Sequence, residues 1–250
     1  MKSIHLHKVY AITKVKFQAF FGKNCIIMPL FAIGFTLVFR FLYQYVLGDG
    51  KMTDDLAAYV MSLGVVMNIG MTGIYCTSLL LAEEKEKKTL RVLMTSSVNA
   101  VEFFIGSILP AAVSTIFINF LLMPVSGYRM TGNALLIYTG ITVLSTLIST
   151  VIGMLVGIFA KDQVSTGTLI TPVLLVLMFI PMFGELVDVL AEISKYLFTG
   201  VIMEMILNLA AGEKPFETVS IIAMVVEFVA AILLFTVFYR RNGYEKDRSK

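Results

Sequence analysis

The chain has 250 residues, 58% hydrophobic and only 15% charged, with a mean hydropathy of +0.86 and a net charge of +3. Soluble domains carry about 25% charged residues and about 45–50% apolar ones, so a soluble globular domain is excluded and an integral membrane protein is expected. The basic excess sits at the ends of apolar runs, where anionic headgroups attract it, and no nucleic-acid partner is expected.

Residues 4–23 place Leu6, Val9, Tyr10, Thr13, Phe17, Phe20 and Phe21 at helical spacing, which makes one apolar face. Lys14 and Lys16 flank that face, Lys8 opposes it and Val15 falls on the polar side. Such a helix lies in the membrane interface, either as an anchor or as a lever between a cytoplasmic partner and the first span. The stretch has lysines throughout and no compact apolar segment, so no cleavable signal peptide is expected. His5 and His7 do not share a helix face and read as interfacial residues, not metal ligands.

Six apolar runs follow, over 25–47, 59–82, 104–126, 134–160, 167–183 and 217–239. Each is long enough to cross about 30 Å of hydrocarbon at 1.5 Å per residue. The expected fold is one all-α transmembrane domain over 1–250. Fifteen of the twenty Lys and Arg fall on the side of the two termini, while Lys51, Arg129, Lys195 and Lys214 fall on the other. That asymmetry puts both termini in the cytoplasm. Cys25 and Cys76 lie in the cytoplasmic halves of their spans and read as free thiols.

Two ionisable residues lie within spans, Arg40 in the first and Glu227 in the last. Their distances from the outer ends, about 10 and about 15 Å, are close enough for a pair. Arg40 snorkelling to the outer headgroups, or meeting Asp54 or Asp55, is the alternative. In the fourth span Ser145, Ser149, Gly153 and Gly157 recur every fourth residue, a spacing that lets helices approach closely, within one subunit or across a dimer seam. Residues 184–214 are too acidic and too broken to cross. They read as two short amphipathic helices around Gly200, forming an outer re-entrant or interfacial hairpin.

Between spans two and three lies EEKEKKTLRVLMTSSVNAVEFFIG, residues 83–106. Leu90, Leu93, Met94, Val98 and Val101 share a helical face, Lys87, Lys88 and Arg91 sit on others, and Glu83, Glu84, Glu86 and Glu102 frame the segment. By itself this is either a solvated loop or a short amphipathic helix under the membrane. The order Glu84, Glu86, Thr89, Leu90, Leu93, Ser96 and then Gly106 follows E-x-E-x-x-T-L-x-x-L-x-x-S, with Gly ten residues on. With that motif and its layout, nearly the whole chain resembles the type-2 ABC transporter permeases. It departs from them at Lys88, Ser97 and Ser107, where the family usually has Gly, Pro and Lys. FIPMFGE also stands near the end of span five in place of Phe-Leu-Ser-Gly.

The resemblance implies that residues 83–103 are a coupling helix, with Met94 on its apolar face, seated in a groove of a separate ATPase. It further implies two ATPase subunits holding the ATP and magnesium, a second permease copy or paralogue, and export across a cell membrane, as in bacteria. The chain lacks a G-x-x-x-x-G-K-[ST] phosphate loop, so it is expected to carry no cofactor and no ATPase site of its own. The 15 methionines and the aliphatic spans hint at hydrophobic or amphipathic cargo. Two rivals are weaker. A secondary transporter or channel would rely on Arg40 and Glu227 for ion coupling. An intramembrane protease would need histidines within the spans, and the only two are His5 and His7.

Overall fold

The computed structural model describes residues 5–22, 25–87, 100–184 and 186–242. Among them every regular element is helical, and six helices are long and apolar enough to cross a membrane. These are span one (Ile27–Leu47), span two (Asp54–Glu86), span three (Val101–Ser126), span four (Gly132–Phe159), span five (Gln163–Gly184) and span six (Thr218–Tyr239). The N-terminal helix is Leu6–Phe20, and two further helices, Asp188–Ser194 and Phe198–Ala211, lie between spans five and six.

Span two is the centre of the bundle. Its most apolar window is 83% buried, against 11% for span one and 17% for span six. It runs several residues beyond the expected 59–82 at both ends, and its 33 residues make about 50 Å of helix. Hydropathy reads only the part inside hydrocarbon. The N-terminal end is capped by Thr53, whose Oγ1 accepts from Leu56 N, with Asp54 and Asp55 in the first turn. The other end continues into the charged residues up to Glu86.

The small residues of span four make a seam inside this one subunit. Ser145, Ser149, Gly153 and Gly157 are all buried, the last three against span two. A methyl group on Gly153 would lie 2.5 Å from the Ile74 carbonyl oxygen, and one on Gly157 3.0 Å from that of Ser78. Here the backbones themselves are in contact. Above the seam a buried polar cluster ties spans two, three and four. Asn68 Nδ2 donates to Thr115 O at 2.9 Å and to Asn119 Oδ1 at 2.7 Å, and Tyr138 OH donates to Asn119 O at 2.9 Å.

Two expectations change. The N-terminal helix turns Val9, Ile12, Lys16 and Phe20 inward and packs on span three, with Leu6, Tyr10 and Phe21 left exposed. An interfacial helix has apolar needs toward both protein and lipid, and periodicity merges them into one face. In the outer hairpin the break falls at Lys195–Leu197, not at Gly200. Gly200 is in the first turn of the second helix, where a side chain would strike the Ser194 carbonyl. That second helix re-enters the bundle, with Phe198 through Met203, Met205 and Ile206 buried against spans two, four and five. Cys25 and Cys76 are both free and buried.

Gly153→Ala should lower stability by about 1–3 kcal/mol through overpacking. Gly140→Ala, in the same helix with nothing within 4 Å, should be neutral or stabilising by up to about 1 kcal/mol, because alanine favours helix. Thermal unfolding of the two variants in detergent separates them by sign.

Candidate functional site

The charged block at the C-terminal end of span two resolves into four separate attachments. Glu83 pairs with Lys87 one turn on, at the surface, where solvent screens the contact. Glu84 pairs with Lys16 of the N-terminal helix, whose side chain is only 4% exposed and lies over the Phe103 ring. Lys85 Nζ donates to Ile158 O at 2.6 Å and to Ala160 O, the last carbonyls of span four. Glu86 Oε2 accepts from both the backbone and the side-chain nitrogen of Gln163 at 3.3 Å, at the start of span five. A cation sits on a helix C-terminus and a carboxylate on an N-terminus, which is the sign the helix dipoles favour.

The turn that joins spans four and five is stiffened from within. Asp162 Oδ1 accepts from Ser165 N at 2.7 Å, and Ser165 Oγ accepts from Lys161 N and Asp162 N. Those hydrogen bonds from Ser165 hold the Asp162 carboxyl below the usual range. Burial pushes the Lys16 ammonium below its ordinary value, and the Glu84 carboxylate opposes that shift.

On the far side of the charged segment, Glu102 occupies the first turn of span three and is 1% exposed. It accepts from His5 N at 2.7 Å and contacts His5 Nδ1 at 3.2 Å. The N-terminal helix thus holds both flanks of residues 88–99, Glu84 through Lys16 and Glu102 through His5. The eleven residues from His5 to Lys16 correspond to about 16 Å of helix, which sets how far apart those flanks stand. Gly106 lets this strut approach span three: a methyl group there would lie 2.7 Å from Ile12 Cγ2.

Of the motif residues, Glu84, Glu86 and Gly106 are therefore brought together around the N-terminal helix and the four–five turn. Thr89, Leu90, Leu93, Met94 and Ser96 lie outside the described residues. From sequence, Lys85 and Gln163 had no role of their own, Lys16 read only as flanking the apolar face of the N-terminal helix, and His5 read only as interfacial. Lys16 had a legible signal, since it keeps register with Val9, Ile12 and Phe20. The partners of Lys85 and Gln163 had none, because they depend on how span four ends.

Arg40 and Glu227 do not pair. Arg40 Nη1 donates to Val125 O at 2.8 Å and to Pro124 O at 3.4 Å, the closing carbonyls of span three. Glu227 Oε2 accepts from Phe198 N at 2.8 Å, at the start of the re-entrant helix. The depth arithmetic omitted that a third backbone segment reaches the same level. Among the described residues no group of three His, Cys, Asp or Glu could hold a metal ion.

A family model described as "ABC-2 family transporter protein" matches residues 47–237, which take in spans two to five whole and most of span six. No curated protein matches.

Lys16→Met leaves the Glu84 carboxylate without its cation and should cost about 3–5 kcal/mol. Adding Glu84→Gln should recover most of that loss. A double-mutant cycle on thermal unfolding checks it, and a pair of additive single effects would mean that the two side chains do not act together.

Proposed function

This chain belongs to the ABC-2 transporter family, and on that premise we propose that it is a permease subunit that exports hydrophobic or amphipathic compounds, driven by a separate ATPase. The observation that carries the reading is the bracket around residues 88–99. A segment with an apolar face is held at one end by Glu84, Lys85 and Glu86 and at the other by Glu102. A push on that segment reaches the N-terminal helix and spans two, three, four and five through direct bonds. Leu90, Leu93 and Met94 fill a groove of the ATPase, and Thr89 and Ser96 border it. Two ATPase subunits dock in this way under a pair of permeases, the second being a copy or a paralogue, and ATP with magnesium binds on the ATPase subunits.

The proposed cargo class has support at the outer face. An open cavity of about 350 Å³ lies between the outer end of span five and the two outer helices. Its lining mixes Lys195, Glu204 and Asn208 with Pro181, Met203 and Leu207, which suits a molecule with a polar head and an apolar body. The lysines of residues 85–88 and the basic C-terminal residues face the cytoplasm in this reading of a bacterial cell membrane.

Changing Leu90 and Leu93 together to Asp should abolish co-purification of the ATPase while the permease still inserts, and an intact complex would refute the docking. Single cysteines at Glu192 and Glu213 should both react with an impermeant thiol reagent added from outside. Reaction at only one of them would overturn the topology.

A further inference from the structure

Glu227 lies nine residues into span six, about 14 Å along the helix from Thr218. A charge at such depth costs about 2.5–3.5 kcal/mol on insertion scales, so it needs a partner or a purpose. Its partner here is a backbone N–H. The re-entrant helix begins at Phe198, and its N-cap, Leu197, makes no side-chain capping bond. The first turn of any helix leaves four N–H groups without intrahelical partners, and this turn is buried, with Phe198, Thr199, Gly200 and Val201 all inaccessible. Glu227 Oε2, from another helix, accepts the Phe198 N–H at 2.8 Å. The carboxylate also carries the charge that the positive end of the helix favours.

We propose that Glu227 is a positioning residue that latches the buried start of the hairpin's second helix to span six, and that its protonation releases the latch. A neutral carboxyl still offers an oxygen to Phe198 N–H, but it forfeits the interaction of its charge with the helix end. Hydrogen bonds to charged groups are the stronger kind. Among the described residues of the helices packed on span six, no other titratable group competes for the role. Span six packs on span four and on the re-entrant helix, and these carry one titratable side chain each, Tyr138 and Glu204. Tyr138 donates to Asn119 O, and Glu204 lies with Lys195, Glu217 and Asn208. Lys195, three residues before Phe198, pairs with Glu192. The latch leaves the hairpin sensitive to acid through the Glu227 carboxylate, which is partly buried against it.

The experiment uses full-length protein in native membranes with Cys25 and Cys76 replaced by alanine. Reporter cysteines are placed one at a time at Thr199 and Val201, and an exposed control at Glu213. Each is labelled by an impermeant maleimide with Glu227 intact and with Glu227→Gln. At pH 8 the substitution should raise labelling at both buried sites by about tenfold, relative to the control. Between pH 8 and pH 5 that ratio should fall toward one, because the protonated glutamate comes to resemble glutamine. The ratio of the two proteins at each pH removes the pH dependence of the thiol itself. Glu227→Asp, which keeps the charge, should stay closer to the parent than Glu227→Gln. Equal labelling of parent and Glu227→Gln at pH 8 overturns the latch, and a ratio that stays constant with pH overturns its release by protonation. Neither reading requires an ATPase or a cargo, so the outcome stands whether or not the proposed function holds.

Discussion

Every helix that ends within or against a membrane leaves backbone N–H and C=O groups that lipid cannot satisfy. In this protein that constraint decides where the scarce charges go. Arg40 closes the C-terminal carbonyls of span three and Lys85 those of span four. Glu86 receives the first N–H of span five, Glu227 that of the re-entrant helix, and Glu102 the His5 N–H at the head of the N-terminal helix. In each case the sign matches the helix dipole. Each bond satisfies a group that would otherwise cost about 1–3 kcal/mol if buried unpaired.

The same bonds knit the charged end of the bundle into one mechanical unit. Span two, buried along its length, carries Glu84, Lys85 and Glu86 on successive faces of its last turn, so three neighbours are gripped from one point. Within the bundle the grip continues without charge. The glycines and serines of span four bring its backbone against span two, and Asn68, Asn119 and Tyr138 fix the relative height of spans two, three and four. Span two also widens into a π-helical turn over Ile69–Tyr75. A methyl group on Gly70 would lie 2.6 Å from Met178 Sδ, and Gly73 faces Ser149. Wide turns of this kind mark places where a helix can shift register, and this one lies between the charged grip and the outer hairpin.

Much of this was legible in the chain, because hydrocarbon is an undemanding reader. A run of about 20 apolar residues has one outcome in a bilayer, so the six spans followed from hydropathy, and helices over the N-terminal stretch and within 184–214 followed from periodicity. The four-residue spacing of Ser145, Ser149, Gly153 and Gly157 announced a close helix contact, and the motif through Glu84, Glu86 and Gly106 announced the family. What tertiary structure alone decided were the partners. Lys16 meets Glu84 because one helix is laid across the base of two others. Arg40 and Glu227 share a depth yet bond to different helix ends, because the re-entrant helix brings the Phe198 N–H to Glu227 and span three stops beside Arg40. Hydropathy reports the depth of a side chain along its own helix, whereas a bond depends on which backbone ends arrive at that depth from elsewhere, and only the folded bundle sets that.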